Sequence, residues 1–181
     1  MISLIYKKFK PASKTLDLGC GQGKDFLFLA QNGFIVHGVD KSSEAVQSVN
    51  HKIQEFSLDK ASVELGDIRN YEIKKDYFDV IICHNVLNFV TKEEALKIIN
   101  NIKEAIKPTG YVLMQVFTVD DPSFRKEKQL ACYFEPQELG NIFSDFEIEE
   151  HFAGIIHDEA HQGFEAPHQH GIAKIVAKKI I

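Results

Sequence analysis

The stretch KTLDLGCGQG, residues 14–23, decides the fold of this chain. Its first five residues predict a β-strand, and Gly19, Gly21 and Gly23 then form a tight turn into a helix that runs to about Asn32. Glycines in such a turn permit positive φ angles and let the backbone approach a ligand closely. Alone, the turn leaves open whether it binds a ligand or only connects two elements, because similar turns also hold dinucleotides.

The rest of the chain alternates apolar, strand-like runs with amphipathic helices. Thr91 and Glu94 form a capping box for a helix that is predicted to stop at Pro108, and Pro136 fits the first turn of another helix. Repeated strand–helix units predict an α/β fold, a doubly wound parallel sheet with helices on both faces. Further strands are predicted at residues 34–39, 62–65, 77–83, 111–117, 146–152 and 171–178, and further helices at residues 45–56, 91–107 and 137–143.

The chain has 181 residues, of which 44% are hydrophobic and 26% charged, and this fits a single domain spanning residues 1–181. We expect a leader at residues 1–13, a cofactor-binding core at 14–117 and a substrate-side region at 118–181. No apolar run reaches the roughly 20 residues that span a bilayer, and the start predicts no signal peptide. Three scattered cysteines predict no disulfide framework. These features predict a cytoplasmic protein without a membrane partner.

The charge of the chain argues against a nucleic-acid partner. The formal net charge is −5, and the only arginines are Arg69 and Arg125. Proteins that bind nucleic-acid phosphates usually carry a basic patch, since counterion release supplies much of their affinity. The lysines are instead spread along helices and tails, so we expect no nucleic acid to bind.

Three carboxylates stand at or beside the ends of the first three predicted strands, where an open α/β sheet binds its ligands. Asp40 lies 21 residues after Gly19, where a carboxylate can accept hydrogen bonds from both hydroxyls of a ribose. Asp67 lies where the edge of an adenine would be, and Asp17 could pair with the ammonium of an amino-acid moiety. Each of these carboxylates alone could be a helix cap or a solvated turn residue. Their occurrence at three successive strands favours a ligand site.

Five short motifs resemble those of the class I S-adenosylmethionine-dependent methyltransferases, in the same order. They are DLGCGQG at residues 17–23, VDKS at 39–42, GDI at 66–68, FDVI at 78–81 and IKPTG at 106–110. The resemblance implies a Rossmann-like, seven-stranded, mostly parallel sheet whose last strand is antiparallel. It also implies S-adenosylmethionine as cofactor and S-adenosylhomocysteine as product. The implied cofactor-binding residues are Asp17, Gly19, Cys20, Gly21, Gly23, Asp40, Lys41, Asp67, Ile68, His84 and Asn85.

A nicotinamide cofactor is the weaker alternative. The turn has the spacing G-x-G-x-G rather than G-x-G-x-x-G, and Lys24 stands where the last glycine of the dinucleotide motif would be. A dehydrogenase of 181 residues would also have little room for a substrate domain. These two features favour the methyltransferase interpretation.

The C-terminal third resembles the small tellurite-resistance methyltransferases of the TehB type. The similar segments are residues 134–139, 156–158 and 173–179. The resemblance implies a small thiol or chalcogen compound as methyl acceptor. His168 and His170 stand where basic residues are expected in the last hairpin of that group. Residues 84–87, HNVL, also lack the Asn/Asp-Pro-Pro-aromatic motif of many enzymes that methylate exocyclic base nitrogens, so a small molecule is favoured over nucleic acid.

Histidines cluster near the C-terminus, where five of the eight lie between His151 and His170. Three interpretations stay open: a polar surface hairpin, a substrate pocket with a catalytic base, or a metal site, since imidazole titrates near neutral pH and ligates metals. We assign no metal ligands among them. The candidate catalytic residues are His84, His157, His168 and His170; His161 is a further member of the cluster.

The sequence therefore predicts an enzyme that transfers a methyl group from S-adenosylmethionine to a small molecule by in-line displacement. Three alternatives stay open: a protein that binds S-adenosylmethionine without catalysis, a methyltransferase for small amines or carboxylates, and one for nucleic acid. The oligomeric state is also open, and a dimer is one possibility.

Overall fold

The computed structural model describes residues 2, 6–9, 11–125, 130–159 and 166–181 of the chain. Four α-helices are described, α1 (Lys24–Gln31), α2 (Ser43–Glu55), α3 (Lys92–Ala105) and α4 (Glu138–Ile142). The strands are β1 (Lys14–Leu18), β2 (Ile35–Asp40), β3 (Ala61–Leu65), β4 (Phe78–His84), β5 (Ile106–Phe117), β6 (Phe146–Asp158) and β7 (His168–Lys179).

The seven strands form one sheet in the order β3-β2-β1-β4-β5-β7-β6. Strands β1 to β5 pair in parallel, and β7 runs antiparallel to both β5 and β6. The predicted doubly wound, mostly parallel sheet with an antiparallel last strand is thus confirmed. Because β1 lies between β2 and β4, the strand order changes direction there, and the carboxyl ends of these three strands border one crevice.

Two apolar clusters cover the two faces of the sheet. One cluster contains Ile81 of β4 and the inner faces of α3 and α4. The other contains Val80 and Ile82 of β4 and the inner faces of α1 and α2. Neighbouring residues of β4 alternate between the clusters because successive side chains of a strand point to opposite faces. Strand β4 is therefore buried on both sides, as its continuous apolar sequence predicts.

The capping box of α3 is present as predicted. The hydroxyl oxygen of Thr91 accepts from the N–H of Glu94 at 3.2 Å, and the carboxylate of Glu94 accepts from the N–H of Thr91 at 2.8 Å. The helix nevertheless ends at Ala105, not at Pro108, and Ile106 begins β5 as a buried partner of Phe78. A proline disfavours helical geometry in the residue before it, so the chain becomes extended ahead of Pro108.

Two further predictions near the C-terminus need correction. Helix α4 begins after Gln137, so Pro136 lies outside its first turn. Strands β6 and β7 extend to Asp158 and from His168, well beyond the predicted residues 146–152 and 171–178. None of the added residues at the hairpin end is fully buried, so backbone pairing rather than apolar burial defines this part of the hairpin.

Within the described residues, no helix is both long enough and apolar enough to span a membrane.

Candidate functional site

The glycine turn after β1 has a geometry that requires glycine at its first position. Gly19 has φ of 70°, and a Cβ atom built there would lie 2.4 Å from Cγ2 of Val86. Gly21 also has positive φ, but a Cβ atom there would have no neighbour within 4 Å. The turn is thus packed against the chain after β4 at Gly19 and open at Gly21, so its backbone is accessible to a ligand there.

Gly23 and Cys20 lie in the same turn but do not line the crevice. A Cβ atom at Gly23 would lie 2.8 Å from Cγ2 of Val49, so this glycine lets the start of α1 pack closely on α2. The Cys20 side chain is buried, and its sulfur would lie 3.0 Å from a Cβ atom at Gly38. Burial, followed by the charges of nearby carboxylates, raises the pKa of this thiol to about 12, which excludes it as a nucleophile near neutral pH.

Asp40 joins the end of β2 to the glycine turn. One carboxylate oxygen accepts from the N–H of Gly21 at 2.8 Å, and the other accepts from the N–H of Ser42 at 2.9 Å. Each oxygen retains further lone-pair capacity, because an ionised carboxylate accepts about four hydrogen bonds. The two backbone bonds fix the side chain toward the crevice, where it could still accept from a ligand.

Asp67, just after β3, is paired with an arginine that the sequence analysis did not assign to the site. The Arg69 side chain donates to both carboxylate oxygens, and the Arg69 N–H donates at 3.0 Å. These hydrogen bonds, the side-chain ones first, lower the pKa of Asp67 to about 2. Asp67 is therefore ionised over the physiological range, and Arg69 lies beside it in the wall of the crevice.

Asp17 lies beneath the glycine turn and is almost fully buried. Burial raises its pKa to about 8, and the nearby carboxylates of Asp25 and Asp40 add to this effect; a hydrogen bond from the backbone of Phe26 opposes it. Asp17 is therefore largely protonated at neutral pH, and a cationic group bound close to the turn would favour its ionised form.

His84, at the end of β4, is held by a carboxylate. Its Nδ1 atom lies 2.7 Å from Oδ2 of Asp25, the second residue of α1. Burial raises the pKa of Asp25, but the hydrogen bond and charge of His84, with the charge of Lys24, outweigh it and leave the pKa lowered. The Nε2 atom of His84 is buried and has no hydrogen-bond partner among the described residues, although the residue lines the crevice.

The crevice at the carboxyl ends of β1 to β4, here called the first cavity, has a volume of about 420 Å³. It contains eight of the eleven predicted cofactor-binding residues; Asp17, Cys20 and Gly23 lie outside its lining. Arg69, Val86, Phe89 and Val90 also line it, and the sequence analysis did not assign them. The lining is formed by Gly19, Gly21, Asp40, Lys41, Asp67, Ile68, Arg69, His84, Asn85, Val86, Phe89 and Val90.

A second cavity of about 340 Å³ adjoins the first and shares Asn85 and Phe89 with it. Asn85 has φ of 55°, uncommon outside glycine, and is held by Gln115, whose carbonyl accepts from the Asn85 N–H and whose amide donates to the Asn85 side chain. The remaining lining mixes apolar and ionisable side chains: Gln115, Phe117, Asp121, Ser123, Leu130, Ile156, Asp158, His170 and Ile172.

The predicted catalytic histidines lie in different places. His84 lines the first cavity and His170 the second, with His168 next to His170 at a ring separation of 4.7 Å. His157 lies on the opposite face of the β6–β7 hairpin, where it is exposed and its Nε2 atom lies 2.8 Å from the Gln169 amide. The strand alternation separates His157 from the cavity, so its prediction as a base is not supported by its position.

The structure does not place the two other histidines of the cluster, His151 and His161, beside either cavity. The ring of His151 packs beside Gly140 of α4, far along β6 from the hairpin end, and His161 lies outside the described residues.

A family model described as tellurite resistance protein TehB matches residues 4–164. Among curated relatives, hemagglutinin 1 of Eikenella corrodens is 32% identical over 168 residues, covering 92% of this chain and 54% of its own. A probable S-adenosyl-L-methionine-dependent methyltransferase TehB of Haemophilus influenzae is 30% identical over 139 residues, which cover 76% of this chain and 47% of the relative. The chain thus spans about half the length of the curated relatives it matches.

Solved structures agree with the family match. The crystal structure of TehB from Haemophilus influenzae superposes with a TM-score of 0.86 at 26% identity, covering 98% of this chain and 61% of that one. A structure described as a SAM-dependent methyltransferase from Methanosarcina mazei gives a TM-score of 0.78 at 21% identity, and the match covers 98% of this chain and 97% of that one. The second likeness shows the fold alone.

The buried carboxyl of Asp17 predicts a pH-dependent stability. Its raised pKa means that the folded protein keeps a proton which the unfolded chain loses above about pH 4, so this group destabilises the fold as pH rises toward about 8. Asp17→Asn should therefore gain stability relative to wild type between about pH 5 and 8, by at most about 1.4 kcal/mol per pH unit.

The measurement is the free energy of unfolding in urea at several pH values. Asp59→Asn, at an exposed position, is the control and should show a difference from wild type that does not change with pH. Parallel curves for wild type and Asp17→Asn would contradict the assignment.

Proposed function

The chain belongs to the TehB family of class I methyltransferases, and we propose that it transfers a methyl group from S-adenosylmethionine to a small acceptor, a thiol or chalcogen compound. The observation that carries the proposal is the position of Asp40. Its carboxylate is held at the end of β2 by two backbone N–H groups, next to the open backbone of Gly21. A ribose with two vicinal hydroxyl groups suits this arrangement.

The remaining residues of the first cavity fit the other parts of the cofactor. Ile68 and Val90 offer apolar surface for an adenine, and Asp67 lies beside them as an acceptor for an exocyclic amino group. Asp17, beneath the turn, would pair with the ammonium of the methionine moiety, directly or through water. The buried and unpartnered Nε2 atom of His84 is a further polar group available to that moiety.

The charge of the site also suits a cationic ligand. Asp17, Asp25 and Asp40 lie close enough that the latter two raise the pKa of Asp17. A sulfonium and an ammonium group bound near them would replace part of this mutual repulsion with attraction. When bound, S-adenosylmethionine supplies an electrophilic methyl group that an acceptor lone pair attacks in line.

The second cavity is the proposed acceptor site. It meets the first cavity at Asn85 and Phe89, so an acceptor there could face a methyl group held in the first cavity. The side chain of Asn85 is fixed by Gln115, and it would therefore orient the acceptor without much loss of conformational entropy. At about 340 Å³, the cavity suits a small molecule.

Cofactor binding is tested by calorimetric titration with S-adenosylhomocysteine, which needs no acceptor. Asp40→Ala should weaken binding about a hundredfold or more, because it removes two charge-assisted hydrogen bonds to the ribose. Glu44→Ala is the matched control: it removes an exposed carboxylate from the first turn of α2, near the same strand end, and should bind like wild type.

Binding by neither wild type nor Glu44→Ala would refute the proposed cofactor, provided that circular dichroism shows a folded protein. Equal affinities for wild type and Asp40→Ala would refute the ribose assignment.

Acceptor chemistry is tested by measuring S-adenosylhomocysteine formation with panels of small thiols, selenite, tellurite, small amines, carboxylates and RNA. We expect turnover with a thiol or chalcogen compound. His170→Asn should then lower turnover at least about tenfold, since His170 lines the acceptor cavity, whereas His157→Asn on the other face of the hairpin should leave it unchanged.

Turnover with RNA alone would overturn the small-molecule assignment. Cofactor binding without turnover on any compound would favour a binding protein without catalysis. Equal loss of turnover in His170→Asn and His157→Asn would contradict the position proposed for the acceptor.

A further inference from the structure

We propose that Asp158, His168 and His170 bind one divalent transition-metal cation beside the second cavity. One potential ligand atom from each of these residues lies within 4.8 Å of the other two. Two imidazoles and one carboxylate on one side of a metal form a ligand set used for divalent iron and related cations, and imidazole and carboxylate also ligate zinc.

The backbone register brings the three side chains together. Asp158 of β6 is the direct cross-strand partner of His168 of β7, and His170 follows two residues later on the same strand. Cross-strand partners share a face of an antiparallel pair, and so do residues two apart on one strand. The three side chains therefore converge on one face, while His157 and Gln169, which form the intervening pair, lie on the other.

Both histidines have their Nδ1 atoms oriented by an oxygen acceptor. Nδ1 of His170 lies 2.9 Å from Oδ2 of Asp121, and Nδ1 of His168 lies 3.1 Å from the carbonyl oxygen of Ala166. A proton on Nδ1 in each case leaves the lone pair on Nε2, the form of imidazole that ligates a metal. Metal-bound histidines usually donate their second ring N–H to a carboxylate or a carbonyl in this way.

Asp121 is itself held rigidly, which fixes the orientation of His170. Its side chain is 3% exposed and accepts from the N–H groups of Ser123 and Gly171 at 2.8 and 3.1 Å, in addition to its contact with His170. The Ser123 hydroxyl also donates to it and lies 2.7 Å from the hydroxyl of Tyr133. We therefore assign Asp121 as a positioning residue, which contacts the histidine and not the cation.

Only small movements are needed to form the site. With bonds of about 2.0–2.2 Å, cis ligand atoms around a metal are about 3–3.5 Å apart. Since the three ligand atoms lie within 4.8 Å of one another, they would have to close by less than about 2 Å, which side-chain torsions at the end of a two-stranded hairpin can supply.

A cation here would change the charge of the acceptor cavity, a consequence that rests on the proposed function. The ionisable side chains in the described lining of that cavity are Asp121, Asp158 and His170, so two of the three are carboxylates. Carboxylates alone would repel a thiolate or an oxyanion. A divalent cation held by Asp158 and the histidines would instead attract such an acceptor and stabilise its deprotonated form.

The test is a titration of the chelator-treated full chain with Co²⁺, followed by visible absorption, and with Zn²⁺, followed by calorimetry, without cofactor or acceptor. We expect one cation per chain and an absorption band of nitrogen- and oxygen-ligated cobalt. His168→Ala and Asp158→Asn should weaken binding by about tenfold to a hundredfold or more. His157→Ala, on the opposite face of the same hairpin, should bind like wild type.

Asp121→Asn separates positioning from ligation. This variant should lower the affinity for the cation without removing the absorption band, since the three ligands remain.

Absence of stoichiometric binding by wild type would overturn the site, as would equal affinities in wild type, His168→Ala and Asp158→Asn. A loss in His157→Ala as large as in His168→Ala would also overturn it. Circular dichroism of the same samples verifies the fold, and their binding of S-adenosylhomocysteine, measured separately, keeps failure here distinct from failure of the proposed function.

Discussion

The hydrogen bond from the Gly21 N–H to the Asp40 carboxylate joins the turn after β1 to the end of β2, and the rest of the site is arranged around it. It requires the positive φ of the turn, and the close approach of Val86 to Gly19 fixes the chain after β4 on the other side. Asp17 is buried beneath the same turn, and burial keeps its carboxyl largely protonated near neutral pH. A single βα turn thus sets the backbone, the shape and the charge of the first cavity.

Much of this could be predicted from sequence because the determining signals are local. The glycines of the turn, the carboxylates at strand ends and the capping box of α3 each depend on residues a few positions apart. Contacts between distant segments could not be predicted in this way. The pairing of His84 with Asp25 spans 59 positions and that of His170 with Asp121 spans 49, and no residue pattern indicates either.

The C-terminal hairpin shows why element edges matter for function. Its outer residues show no regular alternation of apolar and polar side chains, so the sequence predicted strands too short to include Asp158 or His168. Once the strands are extended, register alone decides which histidines share a face, and a shift of β6 by one residue would place His157 instead of Asp158 beside His168 and His170. The same register places the proposed cation ligands His168 and His170 on one face of the hairpin and the control residue His157 on the other. These histidines therefore have different expected roles.

The most direct test of the account is a crystal structure of the protein with S-adenosylhomocysteine. We expect both ribose hydroxyl groups within hydrogen-bond distance of the Asp40 carboxylate, the adenine between Ile68 and Val90, and the sulfur directed toward Asn85 and the second cavity. A ligand bound elsewhere, or one whose sulfur faces away from Asn85, would contradict the proposed arrangement of cofactor and acceptor.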